Sequence, residues 1–168
     1  SIRATDQGIS ANTKSLKTPT KFFVGAADTP TAEYSEKWAK GIKKKKRSGA
    51  RFVQTQLCYD MPLIRSYAKL LVEEGLPEHM FFLIGNGPLL SVNSAKWMRD
   101  NLWGVSIPDK ILNRMQQAKD QKAEGIRICT EQVQELSEIE GIAGTHLMAP
   151  INSTSIPVVI SQTNIQNR

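Results

Sequence analysis

The sequence is poor in cysteine and contains no long hydrophobic run. Its 168 residues include two cysteines, Cys58 and Cys129, and neither belongs to a CxxC pair or another metal-ligand spacing. A disulfide framework and a metal site are therefore not expected. No apolar stretch approaches the roughly 20 residues that a membrane helix needs, and no signal-peptide pattern is present. We expect a cytoplasmic protein with no membrane partner.

The positive charge is concentrated in one short run. The net charge is +6, and residues 43–47 read KKKKR. No aromatic residues of the kind that stack on bases are interleaved with this run, so a nucleic-acid partner is not expected. A solvated helix end is the commoner meaning of such a run. A binding site for a small anionic cofactor is the other interpretation.

The most informative stretch is residues 51–60, RFVQTQLCYD. Its apolar and β-branched residues predict a strand buried on both faces, as in a parallel sheet. Gln54 and Gln56 interrupt that apolar pattern, and burying an unpaired carboxamide costs about 1 to 3 kcal/mol. Gln56 therefore needs a polar partner. That partner is either a ligand at the strand end or the backbone of a neighbouring loop, and spacing alone leaves both open.

Strands and helices are predicted to alternate along the chain. Residues 1–20 are a lead-in loop or short helix, and residues 21–168 form one domain. Strands are predicted at 21–27, 51–60, 80–86 and 144–149. Helices are predicted at 31–48, 62–74 and 91–101, followed by a long helical region over 107–140 that breaks near 120–125. The element at 156–160 is not assigned.

Two parallel-sheet architectures fit this alternation: a doubly wound sheet and half of a (β/α)₈ barrel. No GxGxxG motif follows any predicted strand, which weighs against a doubly wound dinucleotide-binding fold. Polar residues follow the strands at Asp28, Gln56, Asn86 and Asn152. Because a barrel places its site at the carboxyl ends of its strands, this pattern favours the barrel.

Six motifs in register carry a family resemblance. They are KFFVGAA, FVQTQLCYD, GNGPL, GVSIPDKILNRM, EGIRICTEQVQEL and GIAGTHLMA. Together they resemble the C-terminal half of methylenetetrahydrofolate reductase, a flavin-dependent TIM-barrel family. The resemblance implies an α/β fold that forms the C-terminal half of a (β/α)₈ TIM barrel, with about four parallel strands and their helices.

The resemblance also implies an activity. A chain of this kind would reduce methylenetetrahydrofolate to methyltetrahydrofolate through FAD, with NADH or NADPH as the donor. Two alternatives stay open: a flavin-free folate-binding partner in methyl transfer or demethylation, and a structural half-barrel subunit completed by a partner chain. In either case we expect a complementary half-barrel or a second copy, and we expect this chain alone to be inactive.

Three residues are implied to contact the folate substrate. Gln56 matches a glutamine that hydrogen-bonds the pterin, whose amide-like edge complements a carboxamide. Trp97 lies where some family members stack an aromatic residue on the substrate, although a core tryptophan is an equal alternative. Asn93, one helical turn earlier, matches a polar substrate contact more loosely.

Four residues are implied to lie near the flavin. Lys45, with Lys44 beside it, matches a residue that contacts flavin phosphates, which suits an ammonium group. Ala27 and Asp28 begin the loop where the family carries an aromatic residue followed by Pro-Glu.

Other positions also depart from the family pattern. Gly41 replaces a family asparagine, and residues 151–153 replace an LNR ending. The family's catalytic glutamate belongs to the other half of the barrel, so the catalytic residue is unknown. Helix-cap or surface roles are expected for Glu33, Glu36 and Asp60.

Overall fold

The computed structural model describes residue 15, residues 17–149 and residues 153–163. Most of the expected lead-in over residues 1–20 and the polar position at Asn152 therefore lie outside the described residues. The described part contains four strands, β1 (Gly25–Asp28), β2 (Phe52–Leu57), β3 (Phe81–Asn86) and β4 (Gly144–Leu147). Its six helices are α1 (Glu36–Arg47), α2 (Met61–Glu73), α3 (Val92–Asn101), α4 (Asp109–Gln117), α5 (Gln121–Leu136) and α6 (Ser155–Gln162).

The four strands form one parallel sheet in the order β1-β2-β3-β4. A doubly wound sheet reverses its strand order at a switch point, whereas a barrel adds each strand beside the one before it. The observed order runs without reversal. It therefore matches part of a TIM barrel, as the sequence predicts.

The helices that flank the sheet cover one of its faces. Val53 and Phe82 from the strands share one apolar cluster with Ile42 of α1, Ile64 of α2 and Leu136 of α5. Helices on both sides of the sheet would divide these residues between two cores. The single cluster shows that α1, α2 and α5 pack on the same face, which is the singly wound arrangement of a barrel.

Side-chain caps fix the beginnings of the helices. Asp60 accepts a hydrogen bond from the Leu63 N–H at 3.2 Å and begins α2. Asp120 accepts one from the Ala123 N–H at 3.0 Å and begins α5. This second cap explains why the expected long helical region is two helices, since the chain turns at residues 118–120 and restarts with its own cap.

One expectation about β2 is wrong. Val53, Thr55 and Leu57 are buried, but the alternate residues, Phe52, Gln54 and Gln56, are only half-buried. The helices cover the first set, and among the described residues no layer covers the second. The sequence shows that the strand is apolar, but it does not show how many layers pack against it.

The first strand is also shorter than expected. Pairing with β2 begins at Gly25, so Phe22 and Phe23 precede the sheet and are 63% and 64% exposed. Phe23 stacks on Phe52 with ring centroids 5.5 Å apart.

The unassigned element near the end of the described chain is the helix α6. No helix among the described residues is both long and apolar enough to cross a membrane.

Candidate functional site

An apolar cavity lies at the carboxyl ends of the strands. Its volume is about 420 Å³. The loops after β2, β3 and β4 contribute to it together with α3, and the lining is Leu57, Tyr59, Pro88, Leu89, Leu90, Ser94, Trp97, Met98, Leu102, Met148 and Ala149. Ser94 is the only non-aromatic polar residue in this set. The cavity therefore suits an apolar or aromatic group better than a charged one.

Gln56 is the last residue but one of β2. It is not among the residues that line the cavity, although its neighbour Leu57 is, and its carboxamide is partly engaged. Its Nε2 donates to the Trp103 carbonyl at 3.1 Å, and its Oε1 accepts from the Leu57 N–H at 2.9 Å. The loop-backbone partner considered from the sequence is therefore present. A carboxamide has two N–H donors and two acceptor lone pairs, so one of each remains outside these two contacts. Its role toward a ligand stays a prediction.

The segment that Gln56 contacts is held against the end of β2. The Ser106 N–H donates to the Leu57 carbonyl at 3.1 Å, and the Tyr59 N–H donates to the Ser106 carbonyl at 2.8 Å. Gly104 adopts φ +78°, a left-handed conformation that favours glycine. Trp103 is thereby presented on a fixed loop with 84% of its surface exposed.

A buried hydrogen-bond network fixes the ends of β2 and β3. Asn86 Nδ2 donates to Gln132 Oε1 of α5 at 2.8 Å, and Gln132 Nε2 donates to the Tyr59 carbonyl at 2.8 Å. The Tyr59 hydroxyl donates to the Gly87 carbonyl at 2.8 Å, and the Gly87 N–H donates to Asn86 Oδ1 at 2.7 Å. These contacts close a ring, so the loops that carry Tyr59 and Pro88 into the cavity have little freedom.

Trp97 lines the cavity from α3 and is 58% exposed. The alternative of a core tryptophan is therefore wrong, while its stacking role remains a prediction. Asn93 is exposed on the same helix and is not among the residues that line the cavity. The structure brings Trp97 to the site but leaves Asn93 at its margin.

Lys45 of α1 forms an ion pair with Asp28, the last residue of β1. Lys45 Nζ lies 2.8 Å from Asp28 Oδ1, and the Tyr67 hydroxyl donates to Asp28 Oδ2 at 2.7 Å. Burial raises the pKa of Tyr67, and the nearby Asp28 carboxylate raises it further. Tyr67 therefore stays protonated and holds the carboxylate in place. Two residues expected at the cofactor site are thus close together, but they are paired with each other.

Lys44 and Lys45 also line a second hollow of about 330 Å³ between β1 and α1. Gly25, Ala26, Gly41 and Ser48 are among its other lining residues, and their small side chains leave room for a bulky anion. Lys44 is exposed, and no ion pair to it occurs among the described residues. Two ammonium groups beside a roomy hollow fit the phosphate end of a flavin. Ala27 is exposed on the uncovered face of the sheet, in register with Gln54.

The carboxylate residues Glu33, Glu36 and Asp60 lie in helix caps, surface ion pairs or turns. Asp60 caps α2, and Glu36 lies in the first turn of α1, where it pairs with Lys40 at 2.6 Å. The Glu33 N–H donates to the Thr31 hydroxyl oxygen in an exposed turn. None of the three lines the cavity, so none is assigned a catalytic role.

His146 is a further polar side chain on the uncovered face of the sheet, besides Gln54 and Gln56. It pairs in register with Gly85 of β3, so it points away from the face that carries Ile84. Its Nδ1 atom is buried and has no hydrogen-bond partner within the described part of the chain. Sequence reasoning missed His146.

The comparison with protein families agrees with this architecture. The methylenetetrahydrofolate reductase model matches residues 20–164, which is well over half of the chain. The chain belongs to the methylenetetrahydrofolate reductase family. This is an oxidoreductase family of one-carbon folate metabolism, and folate is the substrate that membership supports. The search of curated proteins found no match.

Two further features of this reductase-family chain were missed from the sequence: the exposed Trp103 and the role of Gln132. An aromatic residue immediately before Gly104 was the available signal for the first. Gln132 gave no local signal, because its partners Tyr59 and Asn86 lie 73 and 46 residues away.

Proposed function

We propose that this chain forms the folate-binding part of an oxidoreductase that reduces methylenetetrahydrofolate to methyltetrahydrofolate. The observation that carries the proposal is the apolar cavity at the carboxyl ends of β2, β3 and β4, with Gln56 next in sequence to the lining residue Leu57. The cavity supplies apolar contact for the aromatic part of a folate. The free N–H and lone pair of Gln56 supply a donor and an acceptor for the polar edge of the pterin.

We further propose FAD as the cofactor and NADH or NADPH as the donor. Lys44 and Lys45 would hold the flavin phosphates at the hollow between β1 and α1. Bound FAD would supply hydride transfer from the nicotinamide to the methylene carbon of the folate. The residues of this chain would orient the folate and exclude water from it.

The sheet itself supports a need for further β/α units. Among the described residues, β1 pairs only with β2 and β4 pairs only with β3, so each has one unpaired edge. Phe22, Phe23 and Phe81 are each more than half exposed near the amino ends of the strands. Unpaired edges and exposed aromatic surface favour association. We propose that a complementary half-barrel or a second copy completes the barrel.

One observation favours a second candidate, a flavin-free folate-binding partner in methyl transfer or demethylation. The Lys45 ammonium group already forms an ion pair with the Asp28 carboxylate. A phosphate at Lys45 would have to compete with this carboxylate, which Tyr67 holds from its other oxygen. Among the described residues that line the hollow, Lys44 is then the ammonium group without an ion pair.

The absorbance spectrum of the purified protein tests the choice between these candidates. The reductase proposal predicts a bound yellow flavin, and the double variant Lys44→Gln/Lys45→Gln should retain less of it because two phosphate contacts are lost. Lys40→Gln is the matched control, since Lys40 lies on the same helix but pairs with Glu36. A colourless wild-type protein that binds folate would support the flavin-free candidate instead.

A further inference from the structure

Trp103 is the most exposed large apolar side chain among the described residues. Its exposed fraction is 84%, compared with 58% for Trp97 and 64% for Phe23. Leaving a tryptophan in water forgoes the stabilisation that burial would give it. A loop that displays such a side chain must therefore be held in that conformation by other contacts.

The Trp103 loop is held by contacts with the end of β2. Gln56 holds the Trp103 carbonyl from the end of β2. On the far side of the turn, Ser106 forms an isolated parallel bridge with Cys58. Gly104, between these two anchors, is closely packed, because a Cβ added there would lie 3.2 Å from the Thr29 hydroxyl. A side chain at Gly104 would therefore press on the loop after β1.

The loop also joins the two parts of the site. Leu102, the residue before Trp103, lines the apolar cavity, and Gln56 is the carboxamide proposed to meet the pterin. Trp103 thus follows a residue that lines the cavity, and its backbone carbonyl accepts a hydrogen bond from the residue that would recognise the polar edge of a flat ring. An indole at that place offers a stacking surface for the face of the same ring.

We infer that Trp103 is a ligand-binding residue that stacks on the planar heteroaromatic ring of the ligand, with Gln56 as the positioning residue that fixes the indole loop. This inference rests on the proposed folate function. Gln56 then acts twice: it aims Trp103 through one N–H and recognises the edge of the ring through the other. The ligand class is a flat, bicyclic, hydrogen-bonding heterocycle, and the bare pterin ring should suffice for recognition.

Titration of the full-length protein with tetrahydrofolate and with pterin-6-carboxylate, followed by tryptophan fluorescence, tests the inference. Replacing Trp103 by Ala should raise Kd for both ligands about tenfold, equal to ~1.4 kcal/mol. Replacing it by Phe should restore most of the affinity, because a phenyl ring still stacks. Ligand should quench the wild-type emission strongly and the Trp103→Phe emission weakly, while Trp97→Phe retains the Trp103 signal.

The outcomes distinguish the stacking role of Trp103 from the proposed folate function. Folate binding that is unchanged in Trp103→Ala would overturn the stacking role and leave the proposed function intact. Binding of p-aminobenzoylglutamate, which lacks the pterin, should not depend on Trp103, and an equal loss for it would also overturn the role. A wild-type protein that binds no folate, yet binds pterin-6-carboxylate through Trp103, would contradict the proposed function and support the stacking role.

Discussion

Single residues at this site serve the fold and the cavity together. Cys58 lies between Leu57 and Tyr59, two residues that line the cavity, and it is fully buried. Burial raises the pKa of its thiol to about 11. Cys58 is therefore a small apolar residue at neutral pH and has little nucleophilic thiolate.

This burial predicts a loss of stability at alkaline pH. The ordinary pKa of the thiol is 9.0, so between pH 9.0 and about 11 the unfolded chain releases a proton that the folded chain retains. The free energy of unfolding should fall as pH rises through that window, with a contribution from Cys58 of at most about 3 kcal/mol. Urea denaturation at several pH values measures it.

The matched comparison for this prediction is Cys58→Ala. The variant should lose stability less steeply between pH 8 and 11, because one proton-linked group has been removed. The lysines and Cys129 are present in both proteins, so their contribution cancels. Parallel curves for the two proteins would show that Cys58 ionises as easily in the folded state as in the unfolded state.

At the scale of elements, α5 does more than cover the sheet. It supplies Gln132, which is 6% exposed and links Asn86 at the end of β3 to Tyr59 after β2. The helix thereby fixes the two loops that shape the cavity. An apolar residue at position 132 would pack on the sheet but would not hold those loops.

Gln132→Leu should therefore destabilise the fold. It leaves the Asn86 amide and the Tyr59 carbonyl buried without partners, at a cost of about 2 to 4 kcal/mol. Chemical denaturation measures the change. Gln134→Leu is the control, since Gln134 is exposed on the same helix and donates to the Gln162 carbonyl at 3.3 Å. Similar midpoints for both variants would mean that the buried network contributes little.

The sequence predicted the strands and helices better than it predicted which faces of the sheet are packed and which distant residues are in contact. The apolar runs around Val53 and Phe82 and the cap at Asp60 are local signals. They place β3 and α2 within one residue, whereas β2 ends at Leu57, three residues before the expected end. The uncovered face of β2 is not a local property. The partner of Gln56 is 47 residues away and that of Lys45 is 17 residues away, so composition and spacing did not reveal either contact.

At the scale of the whole molecule, the exposed aromatic residues on the uncovered face predict association. The chain has a mass of 18.7 kDa, and sedimentation should show a larger species or aggregation. Alone it should have no detectable nicotinamide-dependent folate reduction.

A matched pair of variants shows which surface of the chain mediates the association. Phe81→Lys should weaken association, because Phe81 is 57% exposed on the uncovered face. Val158→Lys, at a site on α6 that is 39% exposed, should leave association unchanged. A stable, active wild-type monomer would contradict the need for a completing unit.

Titration of the assembled protein with a reduced folate, compared between Gln56→Leu and Gln54→Leu, tests the central claim most directly. Both glutamines are half-buried on the same face of β2, but Gln56 adjoins the cavity-lining residue Leu57, whereas Gln54 lies two residues further from the strand end. Saturable binding by the wild-type protein, weakened by about 1 to 3 kcal/mol in Gln56→Leu and unchanged in Gln54→Leu, is the predicted result. No binding by the wild-type protein, or an equal loss in both variants, would contradict a folate site at this end of the sheet.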